Sequence, residues 1–183
     1  MLAHARRLAA LCGFFVAFGA GARDARALES FYGLGDEKAG PLMTNLKLGP
    51  AIGLSELPTQ GSIELEVAYA LDEEERAYVG LSIPLGLSSP LVTAGLDASL
   101  HYELPIRGVR GLSIVPRASI GFASLSPDTG RGSVAFVFEP AVGAKWNLTE
   151  LVHVGVEPLA FPLYFGPEFG MQLRPLVYGG LDF

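Results

Sequence analysis

Residues 133–146 read SVAFVFEPAVGAKW, and every second residue from Val134 is apolar: Val134, Phe136, Phe138, Pro140, Val142, Ala144 and Trp146. Both charges of the stretch, Glu139 and Lys145, stand on the intervening positions. Successive side chains of a β-strand point to opposite faces, so this period of two predicts a strand with one clean apolar face. The pattern recurs in 45–54 (NLKLGPAIGL), 62–71 (SIELEVAYAL), 77–87 (AYVGLSIPLGL), 91–103 (LVTAGLDASLHYE), 111–122 (GLSIVPRASIGF), 151–158 (LVHVGVEP) and 171–183 (MQLRPLVYGGLDF). Eight segments result, each about the 9–11 residues that a tilted strand needs to cross a bilayer. On this register no apolar-face position carries a charge, while the other face holds the strand charges with many Gly, Ala and Ser.

The start of the chain reads differently. Arg6 and Arg7 precede an apolar run from Leu8 to about Ala22, and Ala25-Arg26-Ala27 supplies a small-residue cleavage site. That order is a secretory signal, with cleavage expected after Ala27. A membrane anchor fits less well because glycines break the short run, and the residues before Cys12 are a poor lipoprotein lead-in. Removing 1–27 takes four Arg and one Asp, leaving 13 − 4 = 9 basic against 19 − 1 = 18 acidic residues, a net charge of −9. Such a chain lacks the basic face a nucleic-acid partner would need. Cys12 leaves with the signal, so disulfides and Cys-ligated metals are not expected. Residues 28–41 show no clear period and read as a periplasmic lead-in to a domain spanning 42–183.

Mean hydropathy is +0.37, a membrane-like value, yet no second apolar stretch could cross as a helix. The run 77–96 contains Pro84, Pro90 and three glycines. The other structure that satisfies every backbone polar group in lipid is a closed barrel. The expected fold is therefore all-β, an eight-stranded antiparallel up-and-down transmembrane β-barrel. A charge on the lipid face near the midplane costs about 2–4 kcal/mol, which accounts for the clean apolar face. A soluble ligand-binding barrel would turn that face inward and cover its outside with Lys and Glu; this chain has only Lys38, Lys47 and Lys145. Short turns fit both ends. LDEEERA, LPIRGVRG and NLTEL are expected on the periplasmic side, and SELPTQGS, LSSP, SPDTGRGS and FGPEFG on the outer side.

The export signal, the lack of a mature cysteine, the eight alternating strands, the KWNLTEL turn and the terminal YGGLDF resemble small bacterial outer-membrane β-barrel proteins. The nearest type is the eight-stranded barrel of the outer membrane protein A and opacity-protein kind. The resemblance implies a monomer in the bacterial outer membrane, with outer-membrane lipids and the barrel assembly machinery as partners. In that family an aromatic C-terminal strand is the assembly signal, a role that would fall to Phe183. Short outer loops and many strand prolines depart from the pattern and count against adhesin-type functions.

Tyr69, Tyr102 and Trp146 stand where strands meet the periplasmic interface and are expected to form an aromatic girdle. Pro50, Pro84, Pro116, Pro140, Pro158 and Pro175 lie in six of the eight strands, about eight residues from the nearest periplasmic end. At roughly 3.3 Å per residue and 40° of tilt they should form a belt some 20 Å up, as bulges or frayed strand ends. Beside four of them stand inward charges, Arg117, Glu139, Glu157 and Arg174, expected as a charge layer inside the lumen. It would act as a structural ion-paired plug or, in the sharper reading, as a gate.

Catalysis is not expected. The outer-rim serines Ser88, Ser89, Ser124 and Ser126 have no histidine at their end, while His101 and His153 fall near the periplasmic turns. His101 and Glu103 make too small a set for a metal, and no cofactor motif is present. The function expected is a structural or lipid- and partner-interacting barrel with a filled lumen. A small passive pore is the alternative, and a soluble periplasmic ligand carrier the third reading.

Overall fold

The computed structural model describes residues 41–72 and 76–183. The signal, residues 28–40 of the lead-in and residues 73–75 lie outside the described part. Within it the chain forms β1 (Leu42–Gly53), β2 (Gln60–Ala70), β3 (Ala77–Leu87), β4 (Leu91–Tyr102), β5 (Leu104–Pro105), β6 (Leu112–Pro127), β7 (Ser133–Asn147), β8 (Val152–Ala160), β9 (Leu163–Phe165), β10 (Phe169–Leu173) and β11 (Leu176–Asp182). These make eight passes, because β4 continues into β5, β8 into β9 and β10 into β11. All pairings are antiparallel, and β1 pairs with β2 on one side and with β11 and β10 on the other. The sheet is thus a closed ring with no free edge. Leu42 and Phe183 exchange backbone hydrogen bonds at the junction of first and last pass, at 3.2 and 2.7 Å.

The ring has a definite stagger. Starting at Leu42, the row of facing residues runs through Tyr69, Val79, Leu100, Ala118 and Pro140. Pro140 accepts a bond from Phe161, which lines up with Leu173, and Leu173 faces Ile52. One circuit therefore climbs 52 − 42 = 10 residues, which tilts eight strands by about 40° and leaves an interior just wide enough for side chains.

The alternation resolves as a reversal of a soluble core. Leu46, Val67, Leu81, Leu96, Phe122 and Val177 are exposed on the outer wall, whereas Lys47, Glu64, Glu66, Asp97, Glu139 and Arg174 are buried inside. β6 and β7 run to 16 and 15 residues, longer than one bilayer crossing requires. In the turn after β5, Gly111 has φ +76°, and a Cβ there would stand 2.8 Å from the Asn147 carbonyl oxygen. A left-handed residue pressed on a backbone is a place for glycine.

Of the bulges or frayed ends expected at the prolines, Pro158 shows the bulge, and none of the six frays a strand end. In each case the ladder resumes on the far side. Pro84 faces a gap between the pairs Ser82–Asp97 and Leu85–Ala94. Pro140 faces one between Phe138–Leu163 and Ala141–Ala160. Pro50 and Pro175 face each other between Leu48–Val177 and Ile52–Leu173. Of the six, Pro158 sits in a register shift, opposite Val142–Ala144. Pro116 lies opposite Tyr102 toward the end of the barrel where Leu42 meets Phe183, where it separates β4 from β5. A ring without an amide hydrogen deletes one rung, and the neighbouring rungs hold the strand in place.

Candidate functional site

Glu139 and Lys145 on β7 point inward because the outward positions of that strand are Phe136, Phe138, Val142 and Trp146. The same alternation turns Lys47 of β1, Glu64 and Glu66 of β2, Arg117 of β6 and Glu157 of β8 into the lumen. Arg174 enters from the break between β10 and β11. The structure brings the four residues singled out in the sequence, Arg117, Glu139, Glu157 and Arg174, into contact. Arg117 donates from Nε and Nη2 to Glu157 Oε2 at 3.1 and 2.9 Å and from Nη2 to Glu139. Arg174 Nη2 donates to Glu139 Oε1 at 2.7 Å.

Three further members come from the first two strands. Lys47 Nζ lies 3.1, 3.0 and 2.9 Å from Glu64, Glu66 and Glu157, and Arg174 also donates to Glu64 Oε2. Glu64 is 0% exposed and Glu139 1% exposed, so their charge is shut off from bulk water and is balanced by the neighbouring Lys47, Arg117 and Arg174. Removing one partner from such a buried set costs about 3–5 kcal/mol.

Toward the end of the barrel where Leu42 meets Phe183 the network continues through Asn45, Ser99 and His153 to a second ion cluster around Lys145. Asn45 Nδ2 donates to Glu66 at 3.0 Å and Ser99 Oγ to the other oxygen at 2.9 Å. His153 is held between Asn45 Oδ1 at 2.6 Å and Asp182 Oδ2 at 2.9 Å. Lys145 Nζ donates to Glu103 at 2.8 Å and Asp182 at 3.4 Å, with the Tyr78 ring 5.7 Å away. His101 stacks near Tyr78 and lies 3.9 Å from Glu66. Among the described residues no three His, Cys, Asp or Glu side chains converge as a metal set.

Little space remains beside these groups. Cavities of about 10 Å³ and 20 Å³ border the charge layer, the second on the side nearer the chain terminus, enough for about one water each. A cavity of about 390 Å³ opens at the end of the barrel where Leu42 meets Phe183, around Arg76, Glu103, Lys145, Glu150 and Asp182. Tyr69, Tyr102 and Trp146 project from the wall at 54%, 41% and 53% exposure. Phe183 stands at the seam, bonded to Leu42. At the outer end Phe122, Phe136, Phe165 and Phe169 form a contiguous row with ring centroids 5.6–6.2 Å apart, an upper aromatic patch that the sequence reading missed. Its signal is present in the alternation of Phe122 and Phe136, but Phe165 and Phe169 fall in the FGPEFG stretch, whose Gly and Pro read as a turn.

No protein-family model matches the chain, and no curated protein matches it. Among solved structures it is similar to Neisserial surface protein A, at 12% identity and a TM-score of 0.65, over 80% of this chain and all of that one. It is similar also to the N-terminal β-barrel domain of OprF from Pseudomonas aeruginosa, at 15% identity and a TM-score of 0.55, again over 80% of this chain and all of that one. With its closed eight-strand ring and outward apolar wall, the chain has the fold of the small outer-membrane β-barrel proteins.

Proposed function

We propose that this chain is an exported outer-membrane barrel that works through its outer wall and rims, its lumen closed by the ion-paired layer. The observation that carries the reading is the pairing of Lys47, Arg117 and Arg174 with four buried carboxylates, bordered by cavities of only about 10 and 20 Å³. A hydrated ion is larger than either space. The outer-membrane location is supported by the wall of Leu, Val and Phe and by Tyr69, Tyr102 and Trp146 at its periplasmic edge, where amphipathic rings favour the headgroup level. Its structural and lipid- or partner-interacting role follows from that placement. A non-catalytic role is supported for the rim serines, since Ser88, Ser124 and Ser126 stand at the opposite end from His101 and His153, while the lumen serine nearest His101, Ser99, donates its hydroxyl to Glu66.

Planar-bilayer recording of the purified barrel tests this reading. The expected trace is indistinguishable from that of a protein-free bilayer. Stable unitary currents from the parent protein would overturn the closed lumen in favour of a small passive pore.

A further inference from the structure

We propose that residues 54–59, LSELPT, form a movable lid over the end of the lumen opposite the Leu42–Phe183 junction, with Leu57 as its stopper. The lining of the β6–β7 hairpin changes character along its length. Its inward positions in the charge layer are Arg117, Ser119 and Glu139, but beyond the layer they are Ala123, Ala135 and Val137, all buried. These three form one apolar cluster with Tyr164 of β9, and Leu57 and Leu125 pack against it. Lipid does not reach the inside of the ring, so an apolar lining at an open mouth would stand against water, and covering it is favourable. Leu57, arriving from the loop between β1 and β2, supplies that cover.

The seat is shaped for this leucine. A Cβ on Gly170 would stand 2.5 Å from Leu57 Cδ1, and one on Gly53 would run into the Leu57 carbonyl oxygen. Two missing side chains thus make the room that the lid occupies. The lid itself is held lightly. The β1–β2 ladder ends at Ala51–Gln60, and the Gly53 N–H donates to Thr59 Oγ1 at 3.3 Å across the neck of the loop. The tethers beyond that neck lead to two residues of β10. The Leu54 N–H donates to the Met171 carbonyl at 2.9 Å, the Met171 N–H to Ser55 Oγ at 2.8 Å, and Gln172 Nε2 to the Pro58 carbonyl at 3.1 Å. Leu54, Ser55, Glu56 and Thr59 are exposed, so the loop lies open to solvent on its other side. Three bonds to adjacent residues can let go together, whereas a ladder strand must break a whole row. Beneath Leu57, Val137 and Tyr164 also line the small cavity that borders the charge layer, with Gln60, Thr93 and Gln172. Lifting the lid therefore opens a recess of alkyl, amide and hydroxyl groups that ends at the charge layer. The lid stands or falls by itself, whether or not the layer below it conducts.

Two measurements on the folded barrel in detergent test the lid. The first is hydrogen exchange followed by NMR. The amides of Leu54 and Met171 should share one protection factor, at least about tenfold below those of Gln172 and Arg174, which donate to Pro162 and Ala160. The second is thiol labelling, since with the signal removed the chain has no cysteine of its own. A Val137→Cys reporter under Leu57 should react slowly with a water-soluble maleimide. Adding Leu57→Ala should speed it about tenfold, the order expected for losing the partial burial of one leucine. Gly170→Ala, which keeps the leucine but crowds it out of its seat, should act in the same direction. An Ala68→Cys reporter, buried beside Met43 and Tyr78 at the other end of the lumen, should keep its rate in both variants. Protection of Leu54 and Met171 equal to that of Gln172 and Arg174 would make the loop a fixed plug and overturn the proposal. A Val137→Cys rate indifferent to both variants would overturn it too, as would a rise at both reporters, the mark of a loosened barrel.

Discussion

The pairing of β6 with β7 runs through fourteen successive residue pairs, from Leu112–Trp146 to Leu125–Ser133. The seam that closes the ring is built otherwise. β1 keeps six pairs with β11 and two with β10, and the three positions between them, where Pro50 faces Pro175, are unpaired. Side chains cross where the backbone does not. Lys47 of β1 reaches Glu157 of β8, and Arg174, next to Pro175, reaches Glu64 of β2. Four of the six strand prolines have an ion of the layer as their sequence neighbour: Arg117, Glu139, Glu157 and Arg174. A continuous ladder holds its strands by many small terms, whereas the seam relies on a few buried ion pairs, each of which matters more.

The largest test of this contrast is Arg174→Ala. It strips Glu64 and Glu139 of a cation and removes a tie across the seam, so urea unfolding in vesicles should show a loss of about 3–5 kcal/mol. Ser119→Ala, in the fully laddered β6–β7 wall, is the matched comparison and should change stability by less than about 1 kcal/mol. Equal losses in the two variants would abolish the distinction. A smaller effect comes from Pro84→Ala, which restores an amide opposite Gly95. The new ladder bond is worth about 0.5–1.5 kcal/mol net, and the freer unfolded chain offsets about 0.4–1 of it. Stability should stay nearly constant while the new amide becomes protected from hydrogen exchange; fast exchange there would mean that the gap is set by something other than proline.

The smallest effect belongs to the exposed turn below the seam's ladder-rich neighbours. Asp72 accepts from the Ala77 and Arg76 amides at 2.9 and 2.8 Å. These bonds, Ala77's first, hold its carboxyl below the ordinary value of 3.8. Its stabilising contribution is therefore present above that value and fades as pH falls through the lowered one. An NMR titration of Asp72 should report a midpoint below 3.8, and Asp72→Ala should remove that acid-side dependence without disturbing the lumen.

The wall was readable in the sequence because it depends on parity alone. Once Phe136, Phe138 and Trp146 share a face, Glu139 and Lys145 must share the other, whatever the neighbouring strands do. Who meets whom inside is not a matter of parity. Lys47, Glu64 and Glu66 were visible as inward charges, but their meeting with Glu157 and Arg174 depends on the ten-residue climb of the ring and on long side chains reaching across it. Reading heights by counting from each turn could not supply that climb. It also put Pro116 in a belt with the others, whereas its place opposite Tyr102 is lower, toward the end where the chain terminates. The extension of the seventh pass through Pro158 and Pro162 into β9 was hidden for a related reason. The bulge shifts the alternation by one residue, so that Leu159 faces outward next to Pro158 and the period appears to end.

The distances along the chain between these partners carry a last consequence. Lys47 and Glu157 are 110 residues apart, as are Glu64 and Arg174. The β6–β7 hairpin pairs Arg117 with Glu139, but β1 with β2 brings one cation and two carboxylates, and Arg174 arrives only with the final pass. The full set of ion pairs thus forms only in the closed ring. Contacts of such high sequence separation reward the chain only after the whole loop entropy has been spent. Closure and neutralisation are then one cooperative event, so a half-open barrel is penalised twice, once by its bare strand edges and once by its stranded charges.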